Sequence, residues 1–508
     1  MIIHLKLPEK YRNHIPLLVA LLLAAPIIFF QVLRYSYPLG YAGMFTLIAE
    51  QISEVDFRLP LIVPHYGPGG IPLVYPPLGM YAFAMGIKLG ISIWTYLRFV
   101  PAIFTLLSMI PLYYLTFELV KSRAAGILAV VFVTTAPAVY YTHVWSAGVV
   151  RGLALFFCLT GLYFYIRTLR VFSWPHFFLA GLSLGLLLTT HWLYVLFAAL
   201  VGLAFLIAEW RPSRLPIAIG ILVLALLAAS PWLILILERH GLSSILMAYS
   251  SHRNVDFFMS LRDLAVAAQF LGENLGHVSD NLFLTALALP GFILMLIQRK
   301  FHIPLAFIFI LFMGEASFYT EILAGIMAGA FSVEIFRLTS GPTALKSTSI
   351  AGIHKFAPAL LVTACFLLSA RHGLSQISEF RPEVDDHSLQ TASFVRENTK
   401  LDATYLFIGR INEAEWFPYL FDRTPVFAPW GSEWKGTYAE QSEILVALRE
   451  CELQKDWACM EEIQQAENVF PDLLVIPNKR WLIEDIQDTR AWDLLYEDAR
   501  YLVWKRSE

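Results

Sequence analysis

The stretch IPLLVALLLAAPIIFFQV, residues 15–32, decides the fold class of this chain. It is almost wholly apolar, and a run of about 18 such residues is long enough to cross the hydrocarbon core of a membrane as a helix. It lacks a small-residue cleavage site, so we expect it to stay in place as a membrane anchor rather than to be removed as a signal peptide.

Clusters of basic residues lie between the apolar runs that follow this first one. Apolar runs of similar length recur to about Ala370, and Lys/Arg clusters occupy every second gap between them. These clusters are Lys6, Lys10 and Arg12; Lys121 and Arg123; Arg167 and Arg170; Arg211 and Arg214; Arg299 and Lys300; and Arg337, Lys346 and Lys355. The positive-inside rule then predicts a polytopic α-helical protein with a cytoplasmic N-terminus and about 11 transmembrane helices.

Composition agrees with this class. Of the 508 residues, 57% are hydrophobic and 15% are charged, whereas about 25% are charged in a typical soluble domain. The formal net charge of -3 gives no indication of a nucleic-acid partner. We therefore expect a multi-pass protein of the plasma membrane, with membrane lipids as its surroundings.

The charge pattern also predicts two domains. Residues 1–374 form a transmembrane domain with a long first outer loop, 34–98, and residues 375–508 form an extracytoplasmic α/β domain. In the tail, the runs Ala403–Ile408 and Leu473–Ile476 are typical of strands. The apolar stretch Leu78–Ile93 is not counted as a span, because a crossing there would invert every later loop; it is predicted to lie along the outer membrane surface.

Acidic side chains of the first loop form one candidate site. Glu50 and Glu54 are one helical turn apart and share a face of a short predicted helix, and Asp56 follows. Carboxylates beside a membrane can act as catalytic bases or bind a divalent cation. The alternative is that the three residues are simply the hydrated side of an interfacial helix.

The turn Trp145–Gly152 carries a second candidate site. Arg151 would lie at the outer end of a span, where a guanidinium group can hold a phosphate through two parallel hydrogen bonds. His143 and His191 would lie at a similar depth in neighbouring turns. Histidines at a membrane interface also serve as packing residues, and both interpretations stay open.

Two features of the tail complete the set. Cys451 and Cys459 are eight residues apart, and an extracytoplasmic tail would allow a disulfide between them. Two unpaired thiols are the alternative, because pairing depends on geometry that spacing does not supply. The segments Glu415–Tyr419 and Trp430–Gly436 combine carboxylates with aromatic rings, which suits either sugar binding or packing at the membrane surface.

The order of these parts resembles the C superfamily of integral-membrane glycosyltransferases (GT-C), which includes protein mannosyltransferases, aminoarabinose transferases and many uncharacterised bacterial relatives. The shared layout is one span, a long first outer loop with surface helices, many further spans and an outer C-terminal domain. Local motifs similar to the bacterial relatives are Tyr75-Pro76-Pro77-Leu78, the turn Trp145–Gly152, Thr190-His191, Phe394–Thr399 and Glu415–Pro418.

The resemblance implies transfer of a hexosyl or pentosyl group from a polyprenyl-phosphate-linked sugar to an unidentified acceptor on the extracytoplasmic face, with a divalent metal as an open question. If the chain has this activity, Arg151 would hold the carrier phosphate, and His143 and His191 are the further candidates for substrate or phosphate binding. It also implies an acidic residue directly after the first span, but the segment Gly40–Phe45 has no carboxylate. Either Glu50, Glu54 or Asp56 supplies the acid from further along the loop, or the acceptor is activated elsewhere, or the chain is a non-catalytic relative.

The missing acid motivates a second hypothesis. The chain would then be a non-catalytic protein of the GT-C fold that binds lipids or transports lipid-linked sugars. Such a transporter is expected to carry ionisable residues deep in its spans.

Overall fold

The computed structural model describes residues 14–251, 268, 271–272, 279–313, 317–339 and 350–507. The basic residues Lys6, Lys10, Arg12 and Lys346 lie outside these ranges. The described part of the chain is mainly helical, with a small sheet near its C-terminal end.

Within the described residues, fourteen helices precede the tail. In chain order they are α1 (Ile15–Arg34), α2 (Gly43–Glu54), α3 (Leu78–Lys88), α4 (Ile93–Val120), α5 (Arg123–Thr134), α6 (Pro137–His143), α7 (Gly148–Arg170), α8 (Trp174–Leu188), α9 (Trp192–Ala208), α10 (Arg214–Ser251), α11 (Leu282–Ile297), α12 (His302–Ile310), α13 (Ser317–Thr339) and α14 (Ile350–Glu379). A two-stranded antiparallel ribbon, β1 (Ile62–Val63) and β2 (Ile71–Pro72), lies in the first loop.

Length and composition confirm a polytopic membrane protein. Among the described residues, six helices are long and apolar enough to cross a membrane: α1, α4, α7, α10, α13 and α14. The pair α5 and α6, bent by 69°, is a seventh if it forms one span, and α8, α9 and α11 are shorter apolar helices. The total of about 11 spans stays a prediction. Helix α3 has 11 residues and, at about 1.5 Å per residue, is too short to span the membrane.

The chain divides into two compact units. One, the helical unit, comprises Met1–Arg34, Phe99–Pro231 and Phe257–Phe380; the other, the loop–tail unit, comprises Tyr35–Arg98, Trp232–Asp256 and Arg381–Glu508. The first loop therefore belongs to the same compact unit as the tail, whereas the sequence assigned it to the membrane domain. The predicted domain boundary at residue 374 falls inside α14, which continues to Glu379.

Basic residues from different gaps converge on two carboxylates of the helical unit. Glu118 pairs with Lys121 at 2.7 Å and with Arg170 at 2.9 Å. Glu209 pairs with Arg170 at 2.5 Å and with Arg214 at 3.3 Å. These cations come from three of the clusters that the charge pattern assigns to the cytoplasmic side. The structure thus gathers them at one end of the helices, as the alternation of charge requires.

The tail contains a five-stranded sheet. Its strands are β3 (Thr404–Phe407), β4 (Thr424–Pro425), β5 (Leu473–Pro477), β6 (Trp492–Glu497) and β7 (Tyr501–Arg506), in the spatial order β4-β3-β5-β7-β6. Strand β3 is parallel to β4 and β5, whereas β7 runs antiparallel to β5 and β6. Both strands predicted from the sequence, β3 and β5, are confirmed.

Helices complete the tail: α15 (Asp386–Asn398), α16 (Ile411–Ala414), α17 (Phe417–Phe421), α18 (Tyr438–Gln454), α19 (Trp457–Ala466) and α20 (Arg480–Thr489). A core of buried apolar side chains lies between the sheet and these helices, and Leu448, Met460, Leu474 and Trp504 are among its members. The tail is therefore an α/β structure with its own core.

Cys451 and Cys459 form a disulfide in the structure, with their Cα atoms 5.8 Å apart. Cys451 is in α18 and Cys459 is in α19, so the bond links two consecutive helices of the tail. The other two cysteines, Cys158 and Cys365, are free.

This pairing predicts a thiol count. Because disulfides persist only in oxidising compartments, we expect the denatured, unreduced protein to take up two maleimide groups and the reduced protein to take up four. Intact-mass measurement on protein purified from membranes checks the count, and Cys459→Ser should add one reactive thiol to the unreduced sample. Four reactive thiols without reductant would contradict the pairing and an extracytoplasmic tail.

Candidate functional site

The first turn of α2 is held by a carboxyl group from the tail. The backbone N–H of Gly43 donates to Glu415 Oε2 and that of Met44 to Glu415 Oε1, both at 2.7 Å. The first N–H groups of a helix have no partner within the helix, and Ala42 at the N-cap position has no side-chain oxygen to offer them. Glu415, which is 1% exposed, therefore acts as a remote cap for this helix.

Neighbouring contacts fix Glu415 in place. The Trp416 indole donates from Nε1 to the carbonyl of Gly40 at 2.8 Å, and the Tyr66 hydroxyl donates to the Glu415 carbonyl at 3.0 Å. A Cβ atom on Gly43 would lie 2.6 Å from that same carbonyl oxygen, so only glycine fits at this position. The first loop and the segment after α16 are thus joined through both backbone and side-chain atoms.

Burial has a large effect on this carboxyl group. It raises the pKa of Glu415 to about 8, and the N–H groups of Met44 and Gly43 oppose the rise because they stabilise the ionised form. Burial also raises the pKa of the Tyr66 hydroxyl well above its ordinary value.

This contact was not predicted. The segment Gly40–Phe45 has no carboxylate of its own, and the structure brings one there from a residue 372 positions away from Gly43. The available signal was a helix start without a capping side chain, together with an acidic, aromatic segment in the tail. Neither signal shows which carboxylate accepts hydrogen bonds from the first N–H groups of α2.

The acids predicted from the first loop lie at the other end of α2. Glu50 is half-buried, and its Oε1 accepts a hydrogen bond from the Tyr419 hydroxyl at 3.2 Å. Burial raises the pKa of Glu50. Glu54 is the last residue of α2 and Asp56 follows it, and both are exposed. The helix has 12 residues, so its two ends are separated by about 16 Å.

Asp56 has an unusual backbone. Its φ is 52° and that of Phe57 is 62°, so two consecutive residues other than glycine adopt the left-handed conformation. The Phe57 N–H donates to the carbonyl of Ile52 at 2.8 Å, which closes the end of α2. Left-handed conformations cost about 1–2 kcal/mol for most residues and are least costly for Asn and Asp. Strain of this kind often accompanies functional positions.

The donor-side residues lie in the helical unit. His143 is 0% exposed; its Nδ1 donates to the Val139 carbonyl at 2.6 Å, and its Nε2 accepts from the Tyr194 hydroxyl at 2.5 Å. The ring of His191 packs edge-on against the ring of Tyr194, with centroids 5.2 Å apart. Arg151, half-buried in the first turn of α7, is within electrostatic reach of both histidines. The structure thus brings the three predicted residues into one neighbourhood, in which Tyr194 contacts both histidines. Tyr194 was not among the predicted site residues.

Glycine shapes this turn. A Cβ atom on Gly148 would lie 2.0 Å from the carbonyl oxygen of His143, so the start of α7 can approach α6 only without a side chain. Because both ring nitrogens of His143 are used within the protein, His143 is placed to orient Tyr194 rather than to contact a ligand. Arg151 is the member of the group with a permanent charge.

Among the described residues, no three His, Cys, Asp or Glu side chains are arranged to hold a metal ion.

Comparison with solved structures shows the fold. The archaeal oligosaccharyltransferase AglB from Archaeoglobus fulgidus, in complex with an inhibitory peptide and a dolichol-phosphate, matches with a TM-score of 0.63 and 14% identity, over 92% of this chain and 70% of that chain. ArnT from Cupriavidus metallidurans, bound to undecaprenyl phosphate, matches with a TM-score of 0.52 and 13% identity, over 98% of each chain. The arabinofuranosyltransferase AftD from Mycobacteria matches with a TM-score of 0.53 and 11% identity, over 99% of this chain and 40% of that chain.

These proteins are GT-C glycosyltransferases, so the predicted resemblance is confirmed at the level of the fold. No family model matches the chain, and no curated protein matches it.

The Glu415 cap generates a stability prediction. Replacing Glu415 by alanine leaves two N–H groups at the start of α2 buried and unpaired, and each costs about 1–3 kcal/mol. We expect Glu415→Ala to lower the free energy of unfolding by about 2–4 kcal/mol. Thermal unfolding of the detergent-solubilised protein measures the effect.

The matched control is Glu54→Ala, which removes an exposed acid from the other end of the same helix and should change stability by less than about 0.5 kcal/mol. Equal effects of the two substitutions would show that Glu415 does not hold the helix.

Proposed function

We propose that this chain is a membrane glycosyltransferase that takes a sugar from a polyprenyl-phosphate-linked donor and transfers it to an acceptor on the extracytoplasmic face. One observation carries the proposal: the GT-C fold extends over at least 92% of the chain in matches to three sugar transferases. Two of the matched structures hold a polyprenyl phosphate, a dolichol-phosphate in one and undecaprenyl phosphate in the other.

Topology supports the choice of face. The convergence of Lys121, Arg170 and Arg214 at one end of the helices agrees with a cytoplasmic position for that end. The disulfide of the tail agrees with an extracytoplasmic position for the tail. Transfer outside the cell also suits a lipid-linked donor, because no soluble nucleotide sugar is needed there.

Arg151 is the residue that we assign to the donor phosphate. A guanidinium group forms two parallel, charge-assisted hydrogen bonds with phosphate oxygens and does not lose its proton in a protein. His143 and His191 are within electrostatic reach of Arg151, and Tyr194 connects them, because its hydroxyl donates to His143 and its ring packs against that of His191.

Asp56 is the residue that we assign as the base. It is exposed, it follows the helix that Glu415 fixes, and its left-handed backbone has a conformational cost that function would explain. In the proposed step the acceptor hydroxyl gives its proton to the Asp56 carboxylate, and its oxygen bonds to the anomeric carbon of the sugar. The bond from that carbon to the phosphate oxygen breaks, and the electron pair leaves with the polyprenyl phosphate. Glu50 and Glu54, in the helix α2 that precedes Asp56, are the alternative candidates for the base.

The assignment of Arg151 predicts a loss in donor affinity. Arg151→Ala removes the two charge-assisted hydrogen bonds that we assign to the donor phosphate. It should therefore raise the KM for undecaprenyl-phosphate-linked sugar by about 10–100-fold, with a smaller change in kcat. Arg151→Lys keeps the positive charge but cannot form the two parallel hydrogen bonds, so its donor KM should lie between those of the wild type and Arg151→Ala. The assay measures release of undecaprenyl phosphate by purified protein with membrane extract as acceptor. Arg211→Ala, an exposed arginine in another loop, is the control. An unchanged KM in Arg151→Ala would refute the role.

The assignment of Asp56 predicts a different kinetic pattern. Asn tolerates the left-handed backbone but does not accept a proton, so Asp56→Asn should fold normally and lower kcat by about 10²–10⁴-fold, with little change in donor KM. The same release assay, combined with thermal unfolding, separates this effect from misfolding. Normal turnover in Asp56→Asn would move the role to Glu54 or Glu50, which the corresponding Gln variants test.

A further inference from the structure

A buried carboxyl group of the helical unit has no part in the steps proposed above. Glu321 lies near the start of α13 and is fully buried. Its Oε1 accepts a hydrogen bond from the Ser279 hydroxyl at 2.8 Å, and its Oε2 accepts one from the Val139 N–H at 3.3 Å. Neither donor carries a charge. Because a buried acid is costly in a helix that is apolar enough to cross a membrane, its retention indicates a specific role.

The hydrogen bond from Val139 fixes the start of α6. This helix begins after Ala136, which provides no side-chain cap, and Pro137 follows at its first position without an N–H group. Val139 carries one of the early N–H groups that no carbonyl of the same helix can reach. Glu321, 182 positions away in the sequence, therefore serves α6 as Glu415 serves α2.

The last residue of α6, His143, is tied to the same contact. Its Nδ1 donates at 2.6 Å to the carbonyl of Val139, the residue whose N–H donates to Glu321. Phe318, three residues before Glu321 in α13, packs edge-on against the His143 ring with centroids 5.4 Å apart. Helix α13 thus contacts α6 at Val139 through a hydrogen bond and at His143 through an aromatic ring.

The first turn of α7 lies directly against His143. A Cβ atom on Gly148 would be 2.0 Å from the His143 carbonyl oxygen, and one on Gly152 would be 3.3 Å from the same atom. Arg151 lies between these two glycines in the sequence and belongs to the same turn. The position of Arg151 therefore depends on that of α6, and the position of α6 depends in turn on Glu321.

We propose that Glu321 is a positioning residue for the site that holds the donor phosphate. It fixes α6, α6 fixes the first turn of α7, and that turn presents Arg151 to the phosphate group. The inference rests on the role proposed for Arg151 and extends it to a residue of another helix. It also explains why α13 keeps a buried acid at a position where an apolar side chain would avoid the cost of burial.

The test is a set of substitutions at residue 321 of the full-length protein, titrated with undecaprenyl phosphate and followed by native mass spectrometry. Glu321→Met keeps a side chain of similar length but offers no oxygen to the Val139 N–H, so it should raise the Kd for the lipid by about 5–50-fold. Glu321→Gln keeps an oxygen for Val139, and its amide N–H can donate to the Ser279 oxygen, so it should bind as the wild type does. The matched control is Glu334→Met, which removes an acid near the other end of α13 and should leave the Kd unchanged.

A double substitution separates positioning from a general loss of stability. If Glu321 acts through Arg151, Glu321→Met should change the Kd by less than about 2-fold in a protein that already carries Arg151→Ala. Thermal unfolding of each variant is recorded in parallel. Ser279→Ala removes only the hydroxyl that donates to Glu321, should raise the Kd by about 2–5-fold, and carries the test if Glu321→Met does not fold.

Three results would overturn the inference. They are an unchanged Kd in Glu321→Met, equal weakening by Glu321→Gln and Glu321→Met, and the same fold-change from Glu321→Met with and without Arg151. Each leaves the proposed function in place as long as Arg151→Ala itself weakens lipid binding. Coupling between Glu321 and Arg151, in a wild type that binds the lipid but transfers no sugar, would uphold the positioning role and contradict the proposed function.

Discussion

The contact between the Glu415 carboxyl group and the first turn of α2 is the constraint on which the loop–tail unit depends. A helix begins with N–H groups that need partners, and the residue before α2, Ala42, has none to give. The first loop therefore cannot complete its own helix and takes its cap from the tail. Trp416 and Tyr66 reinforce the same junction. The loop and the tail consequently belong to one compact unit, although Gly43 and Glu415 are 372 positions apart in the sequence.

Two costly features belong to the same compact unit as this junction. Asp56 follows the helix that Glu415 caps and adopts a left-handed backbone, and Glu433 keeps a buried oxygen without a partner among the described residues. The charged end of the helical unit differs in this respect, because Glu118 and Glu209 are each paired with at least two cations. Backbone strain or an unpaired buried polar atom that persists in an otherwise well-packed structure is typical of binding and catalytic positions. Fully paired charges, by contrast, mainly stabilise the fold.

Patterns that repeat along the chain made the fold class predictable. Apolar runs of spanning length and basic clusters at alternate gaps indicated a polytopic protein, and short apolar runs in the tail located β3 and β5. The β6–β7 hairpin was missed because neither strand alternates between buried and exposed residues: β6 is largely exposed, and the first four residues of β7 are all buried. The contacts of Tyr194 with His143 and of Glu415 with α2 were missed for another reason: a hydrogen bond between distant residues leaves no mark in local composition. The sequence could show that an acid was absent after α1 but not that the tail supplies one.

The central claim is that this fold binds a polyprenyl-phosphate-linked sugar. Native mass spectrometry of the wild-type protein, purified in mild detergent from its own membrane, followed by extraction and identification of the bound lipid, tests it most directly. The account predicts a co-purified polyprenyl phosphate or its sugar adduct, whose mass would also identify the sugar. Ordinary phospholipid alone, with no binding when a lipid-linked sugar is added, would contradict the account and favour a non-catalytic protein of the same fold.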